Sequence, residues 1–223
     1  MKNKKNNEEL AYEKVKRAIM LKKLNPGQRV TEDWVSKELE MSRTPIRAAF
    51  KRLENEGLIE LVPNKGAIVY SPSNKELEDV FHLRVVLEKY AAQLAVPHMG
   101  DKDIAYMEQL LEDELDAYKE KDFEAFMQVN ARIHTYPAKI SGNKFLLQQI
   151  ETLNQWSDGY LILKDEFYST PMDEVKSASE HKKIMEAFSK RDVNKASNAI
   201  ESHLLSTLGD LSKDLSYRTS IFN

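Results

Sequence analysis

The sequence contains no cysteine among its 223 residues. This absence excludes disulfide bonds, thiolate metal sites and cysteine catalysis, and it agrees with a reducing cytoplasm. Only seven glycines and seven prolines interrupt the chain, a composition that favours helix. No run approaches the roughly 18 uncharged apolar residues of a membrane span, and the polar N-terminus lacks the apolar core of a signal peptide. We therefore expect a helix-rich cytoplasmic protein without a membrane partner.

Charge is distributed unevenly along the chain. Residues 1–70 contain 15 Lys and Arg against 10 Asp and Glu, a net charge of +5, whereas the remainder carries −8 and brings the total to −3. A basic first third attached to an acidic remainder suggests that only the first third meets a polyanion. Chance explains the imbalance equally well in a chain with 31% charged residues, so this pattern decides nothing by itself.

The first 70 residues carry the pattern of a small winged domain. After a polar tail at 1–7, which we expect to be disordered, apolar residues recur at helical spacing. Thr31 can cap a second helix, and two short strand-like runs meet at a turn. We predict helices over residues 8–24 and 32–40, a third helix from about 43 or 45 to 56, and strands over 58–62 and 67–70. Three helices and a hairpin make residues 8–70 a winged helix-turn-helix domain.

Every periodic segment beyond residue 70 indicates helix. Residues 71–75 contain Pro72 and are predicted to be a linker, and residues 217–223 a tail. Between them we expect an all-helical bundle over 76–216. Its helices are predicted at roughly 74–96, 101–120, 122–140, 143–167, 172–190 and 192–215. The fold class is therefore mainly α, with a winged helix-turn-helix followed by a helical bundle.

The third predicted helix has one apolar face and one basic face. Apolar residues recur at i, i+4 and i+7 and are expected to pack inward: Ile46, Phe50 and Leu53. Arg43, Arg47 and Lys51 recur at i, i+4 and i+8 and form a basic stripe. A helix of this kind fits the major groove, where Arg can contact guanine edges and Lys can neutralise phosphate.

The predicted hairpin offers a second contact with DNA. Its tip consists of Asn64, Lys65 and Gly66, which supply an amide, a cation and a permissive backbone. Such a wing can reach the sugar-phosphate backbone or the minor groove. A basic stripe alone is more often a solvated helix face, but the stripe, the turn and the wing in this order favour DNA binding.

Four segments of this domain resemble the GntR family of bacterial regulators. They are residues 24–30 (LNPGQRV), 41–47 (MSRTPIR), 53–59 (LENEGLI) and 63–66 (PNKG). The resemblance implies a homodimer that binds a short palindromic operator, with Arg43, Thr44 and Arg47 near the bases and the wing near the backbone. One departure is Glu40, where the family usually has glycine. A positive φ there would cost about 1 kcal/mol.

Five histidines occur in the second part of the chain: His82, His98, His134, His181 and His203. Asn130 and His134 lie four residues apart on one predicted helix and can face one point. Histidines from three helices can build a metal site inside a bundle. Scattered helix histidines are more often ordinary surface or hydrogen-bonded residues, so the spacing leaves both interpretations open.

From about Glu76 to Leu208 the chain resembles the FCD effector domain of FadR-type regulators, a helical bundle with a central ligand cavity. Many members bind a divalent metal through an Asp or Asn and three His. The matching positions here are Asn130, His134, His181 and His203. Nitrogen-rich ligands with one amide oxygen suit Zn, Ni, Co or Mn. Because Asn130 is neutral, we expect weaker affinity than an Asp would give and a net +2 charge available to an anionic effector.

Arg84 lies on the first predicted helix of the bundle among apolar neighbours. The resemblance implies an arginine that faces the cavity, where it would bind an effector carboxylate bidentately. A salt bridge to Glu88 at i+4 is an equally good interpretation.

These features predict a DNA-binding transcription regulator, with repression as its expected action, that is controlled by a small organic acid. One alternative is the same regulator without metal and with an apolar or acyl ligand. Two other classes are a metal-dependent enzyme fused to a DNA-binding head and an architectural DNA-binding protein. No phosphate loop, nucleophile motif or well-placed carboxylate base supports the enzyme, so we expect no catalysis.

Overall fold

The computed structural model describes residues 6–63, 66–164 and 176–219. The described chain divides into two compact units. The first unit contains the described residues up to Ser73 together with the C-terminal end of one long helix from Asp158, and the second contains the others.

The first unit has the predicted helices and hairpin. Its elements are α1 (Asn7–Met20), β1 (Arg29–Val30), α2 (Glu32–Glu38), α3 (Arg43–Asn55), β2 (Ile59–Val62) and β3 (Gly66–Val69). The strands form an antiparallel sheet in the order β1-β3-β2. The strand β1 was not predicted, because two residues are too short to give a period-2 pattern.

The core of the first unit forms behind α3, as the sequence predicts. Ile46, Phe50 and Leu53 are fully buried. Thr31 caps α2, and its hydroxyl accepts a hydrogen bond from the Trp34 amide at 3.2 Å. These side chains fix α3 on its inward side and leave its other face open.

The second unit is helical, and its described residues contain no strand. Its elements are α4 (Asn74–Ala95), a short 3₁₀ turn (Val96–His98), α5 (Asp101–Lys119), α6 (Phe123–Ile140), α7 (Lys144–Lys164, up to Ser157 in this unit), α8 (Lys176–Ser189) and α9 (Val193–Thr219). Ala91, Ala138, Leu146 and Ile150 form a buried cluster of α4, α6 and α7. None of the described helices is both long and apolar enough to cross a membrane.

Several predicted boundaries are corrected by the structure. The tail at 1–7 is one residue too long, because the Asn6 side chain caps α1 and Asn7 is helical. The linker at 71–75 ends at Ser73, since α4 begins at Asn74. The tail at 217–223 overlaps α9, which continues to Thr219. The predicted end of the helix at 143–167 and the start of that at 172–190 lie outside the described residues.

Candidate functional site

The helix α3 presents the predicted basic stripe. Arg43, Thr44, Arg47 and Lys51 are all exposed, while the opposite face of the helix is buried. The helix has no acidic residue in its first turn, so its positive end is left for an external anion. Side chains on this face can therefore enter a DNA groove without any rearrangement of the core.

Acidic residues of α2 hold two of these arginines. Arg47 Nε and Nη2 lie 3.0 and 2.8 Å from the two carboxylate oxygens of Glu32. Arg43 Nε lies 2.7 Å from Asp33 Oδ1. Both arginine side chains remain 63% exposed, so the pairs orient them at the surface without burying them.

The wing is described only in part. Asn64 and Lys65 lie outside the described residues, so their position at the tip stays a prediction. Gly66 begins β3 with φ of +89°, and a Cβ on it would lie 3.1 Å from the carbonyl oxygen of Val30. The positive φ favours glycine there, and a Cβ would make a tight contact with the Val30 carbonyl.

Three of the five histidines come together inside the second unit. His134 of α6, His181 of α8 and His203 of α9 are buried, and one nitrogen of each lies within 4.8 Å of the others. His181 Nε2 and His203 Nε2 are only 3.2 Å apart. His82 and His98, which matched no ligand position, are exposed.

Each of the three histidines has its own carboxylate partner. His134 Nδ1 lies 2.7 Å from Glu88 Oε2, and His203 Nδ1 lies 2.8 Å from Glu180 Oε2. His181 Nδ1 lies 2.9 Å from both carboxylate oxygens of Glu114. An ionised carboxylate can only accept, so each Nδ1–H donates, and in a neutral imidazole Nε2 then keeps its lone pair.

This tautomer gives the donor set of a metal centre. Two Nε2 lone pairs that face each other at 3.2 Å repel unless a proton or a cation lies between them. Ligand nitrogens about 2.0–2.1 Å from a tetrahedral Zn²⁺ are separated by about this distance. Histidine ligands that donate their other ring N–H to a carboxylate are the common arrangement at such sites. The residues present therefore fit a divalent ion.

The protonation states of the cluster agree with this geometry. Burial lowers the pKa of His134 to about 4, against the opposing effect of Glu88. Burial, with the nearby His181, lowers the pKa of His203 to about 3. Burial would raise the pKa of Glu88, but the charge of Arg84 and the contact with His134 outweigh it and bring the pKa to about 2. At neutral pH these two histidines are neutral and Glu88 is ionised.

Arg84 lies beside the histidine cluster and is 2% exposed. Its Nε donates to Glu88 Oε1 at 2.8 Å, and its Nη1 donates to Ser157 Oγ at 2.7 Å. Its Nη2 has no hydrogen-bond partner among the described residues. The salt bridge to Glu88, one of the two interpretations of the sequence, is therefore present, and the binding of an effector carboxylate stays a prediction.

Asn130 is also buried, one helical turn before His134 on the same face of α6.

Sequence reasoning missed Glu88, Glu114 and Glu180 as partners of the histidines. Glu88 was considered only as a partner of Arg84, and Glu114 lies on α5 without any local pattern that links it to His181.

The fold and the two sites define a class of protein: a winged helix-turn-helix with a basic exposed helix, joined to a helical domain with a buried polar site. Proteins of this class are DNA-binding transcription regulators. The sequence profile of the bacterial regulatory proteins of the gntR family matches residues 7–69, and that of the FCD domain matches residues 79–206. The FCD match covers more than half of the chain, so the chain belongs to the FCD-containing GntR family.

Named relatives agree with the profiles. The uncharacterized HTH-type transcriptional regulator YdhC of Bacillus subtilis (strain 168) is 24% identical over 86% of this chain and 85% of its own length. The HTH-type transcriptional repressor RspR of Escherichia coli (strain K12) is 25% identical over 86% of this chain and 83% of its own length. The solved structure of E. coli McbR/YncC has the same fold, with a TM-score of 0.71 and 21% identity over 94% of this chain and 99% of that one.

The family and these relatives are transcription regulators and not enzymes. The chain is therefore a DNA-binding transcription regulator, and the alternative of a metal-dependent enzyme is set aside.

Proposed function

We propose that the protein is a homodimeric repressor that binds a palindromic operator and is controlled by a carboxylate effector bound next to a divalent metal ion. The observation that carries the proposal is the convergence of three buried histidines, each held by a carboxylate, beside an arginine with one nitrogen that has no partner among the described residues. Repression is supported by the printed name of RspR, a transcriptional repressor.

DNA contact is assigned to the exposed face of α3 and to the wing. Arg43, Thr44 and Arg47 would face the bases, and Lys51 would neutralise phosphate. Asn64, Lys65 and Gly66 would meet the backbone at the wing. The exposure of all four α3 side chains supports this assignment.

The metal ion, one of Zn, Ni, Co or Mn, would be held by His134, His181, His203 and Asn130. When bound, it would supply a fixed positive charge and open coordination positions for an effector carboxylate. The protein's own charges favour such an ion. Three acidic side chains, Glu88, Glu114 and Glu180, hold the histidines, and Arg84 is the one basic side chain bonded to them, so a divalent ion would offset the excess of acidic groups at this site. The sequence-based expectation that Asn130 gives weaker affinity than an Asp would stays a prediction, and it did not include these carboxylates.

The effector carboxylate is assigned to Arg84 Nη2. Glu88 joins this arginine to the metal site, because one of its oxygens accepts from Arg84 and the other from His134. A carboxylate that bridges the ion and Arg84 would satisfy both positive partners at once. A purely apolar ligand would leave the Arg84 nitrogen unpaired, which disfavours that alternative. An acyl ligand could pair this nitrogen only through its carbonyl oxygen.

A second copy of the chain is proposed to cover one face of α4. Leu83, Val86 and Tyr90 recur at i, i+3 and i+7, and 48%, 63% and 47% of their surfaces are exposed. Apolar side chains arranged in one exposed stripe mark an interaction surface. A dimer through α4 would give the paired DNA-binding domains that a palindrome requires.

Metal analysis and DNA selection test the proposal together. After equilibration with Zn, Ni, Co or Mn, the wild-type protein should retain one ion per chain, His134→Ala should lose it, and His82→Ala should keep it because His82 is exposed. DNA selected by the wild-type protein from a random-sequence pool should contain an inverted repeat. Full metal content in His134→Ala would remove His134 from the site, and a selected sequence without symmetry would contradict the dimer.

A further inference from the structure

We infer that Asn154 recognises a hydroxyl group of the effector, so that the ligand is a hydroxycarboxylate rather than a plain aliphatic acid. The inference rests on the proposed function, since it adds a second polar contact to the carboxylate held at Arg84. It names a specificity-determining residue on α7 and the chemical class that this residue selects.

Asn154 is an unpaired amide in the interior of the second unit. Its side chain is 2% exposed, and neither Nδ2 nor Oδ1 has a hydrogen-bond partner within the described part of the chain. Buried polar groups are paired in the great majority of cases, and an exception calls for an explanation. Arg84 Nη2 is likewise buried without a hydrogen-bond partner among the described residues.

The helix α7 places Asn154 next to Arg84. Ser157, one turn further along, accepts a hydrogen bond from Arg84 Nη1 and donates to the backbone carbonyl of Asn154 at 3.0 Å. Residues three apart on a helix project from the same side. Asn154 and Ser157 are therefore ~4.5 Å apart along the axis of α7, and the Asn154 amide faces the same region as the arginine that Ser157 binds.

The packing of α4 against α7 gives the same placement. Ala91 of α4 shares a buried cluster with Ile150 of α7, and Arg84 of α4 contacts Ser157 of α7. The two helices thus run antiparallel, and Asn154 lies at the level between these two contacts. Glu88, the partner of His134, occupies that level on α4.

Both polar atoms of the Asn154 amide lack a partner among the described residues. A ligand group that both donates and accepts a hydrogen bond would satisfy them. A hydroxyl group does both, since its O–H can donate to Oδ1 and its oxygen can accept from Nδ2. An aliphatic chain would leave both amide atoms buried without a partner. Sites built to bond a hydroxyl reject the analogue without it, by ~10⁴-fold or more in the strongest cases.

The first test uses the protein without effector. If Asn154 serves only the ligand, Asn154→Leu removes an unpaired buried amide at nearly constant volume, and the melting temperature of the full-length, metal-loaded chain should rise. Asn198→Leu, which alters an exposed asparagine of α9, is the matched control and should leave it unchanged. A lower melting temperature for Asn154→Leu would mean that the amide supports the fold, and would overturn the inference.

The second test measures binding of matched acids by calorimetry. The pairs are propionate and lactate, succinate and malate, and hexanoate and gluconate. In the wild-type protein the hydroxylated member of at least one pair should bind at least ~100-fold more tightly than its partner. In Asn154→Leu this preference should disappear, while the plain acid binds as well as before or better.

The outcomes separate the inference from the proposed function. Equal binding of both members of every pair to the wild-type protein overturns the role of Asn154 and leaves the carboxylate effector in place. A hydroxyl preference that survives in Asn154→Leu also overturns it, because another group must then read the hydroxyl. If none of the six acids binds the wild-type protein, the carboxylate effector itself fails, and the inference fails with it.

Discussion

The guanidinium of Arg47 on α3 forms a bidentate ion pair with the carboxylate of Glu32 on α2. The hydrogen bond from Arg47 lowers the pKa of Glu32, so the carboxylate is ionised at neutral pH. Two acceptors in a plane are also what a guanine edge or a phosphate offers to arginine. Glu32 therefore occupies the donors that DNA would use, and keeps the arginine extended from the helix.

Removing the Arg47 side chain and removing the charge of Glu32 should change DNA binding in opposite directions. We expect Arg47→Ala to weaken binding to the selected operator by about 1–3 kcal/mol, because the base contact is lost. Glu32→Gln should strengthen binding to random-sequence DNA, because one negative charge near the phosphates disappears and Arg47 is released. Fluorescence anisotropy at one fixed salt concentration measures both effects.

Arg191→Ala, in the second unit, serves as the control and should bind both DNAs like the wild-type protein. Unchanged operator affinity in Arg47→Ala would refute the role of this arginine in recognition. Weaker binding of Glu32→Gln to both DNAs would mean that the carboxylate supports the arginine in the complex rather than competing with DNA.

The carboxylate behind His181 should tune metal affinity without being a ligand. Glu114 is 1% exposed and contacts Nδ1 of His181 through both oxygens. Glu114→Gln removes the negative charge and is expected to lower metal affinity about 10–100-fold. Competition with a chelator of known affinity measures the change. Glu112→Gln, which alters an exposed residue of the same helix, should have no effect, and equal affinities for both variants would contradict the role of Glu114.

Helix α3 could be predicted almost completely from sequence, because its signals are local. Ile46, Phe50 and Leu53 mark the inward face by spacing alone, and Thr31 marks the start of α2. The histidine cluster could not be assembled in this way. His181 and Glu114 are 67 residues apart and lie on different helices, so only the packed bundle brings them together; the family resemblance supplied the ligand set, and nothing local supplied the carboxylates.

Helix ends were the least predictable feature, for a physical reason. Helix α1 stops at Met20 rather than Leu24 because Lys22 adopts φ of +55°, and the amides of Lys22 and Lys23 bond back to Ile19 and Ala18. This closure usually uses glycine. A lysine in that position gives no sequence signal, so the helical pattern appeared to continue.

Glu40 ends α2 by the same closure, and the positive φ considered in the sequence analysis is confirmed at +52°. A side chain in the left-handed region costs roughly 1–2 kcal/mol. Glycine removes this strain, but it also increases the conformational entropy of the unfolded chain, which offsets part of the gain in stability. We expect Glu40→Gly to raise the free energy of unfolding by about 0.5–1 kcal/mol, as measured by urea denaturation. Lys37→Gly, within α2, should lower it by about 1 kcal/mol. Destabilisation by Glu40→Gly would show that the glutamate side chain contributes more than the backbone strain costs.

The exposed stripe on α4 should decide the oligomeric state. Val86 is its most exposed member at 63%, and it lies between Leu83 and Tyr90. A carboxylate placed there would be desolvated in a dimer without a partner, a cost of several kcal/mol per ion. We therefore expect Val86→Asp to sediment as a monomer at concentrations where the wild-type protein is a dimer, with metal content unchanged. Gln128→Asp places the same charge on an exposed position of another helix, α6, and should remain dimeric. Because a monomer holds only one half-site, Val86→Asp should also lose most of its affinity for the full palindrome while its affinity for an isolated half-site stays the same. A dimeric Val86→Asp would place the interface elsewhere on the second unit.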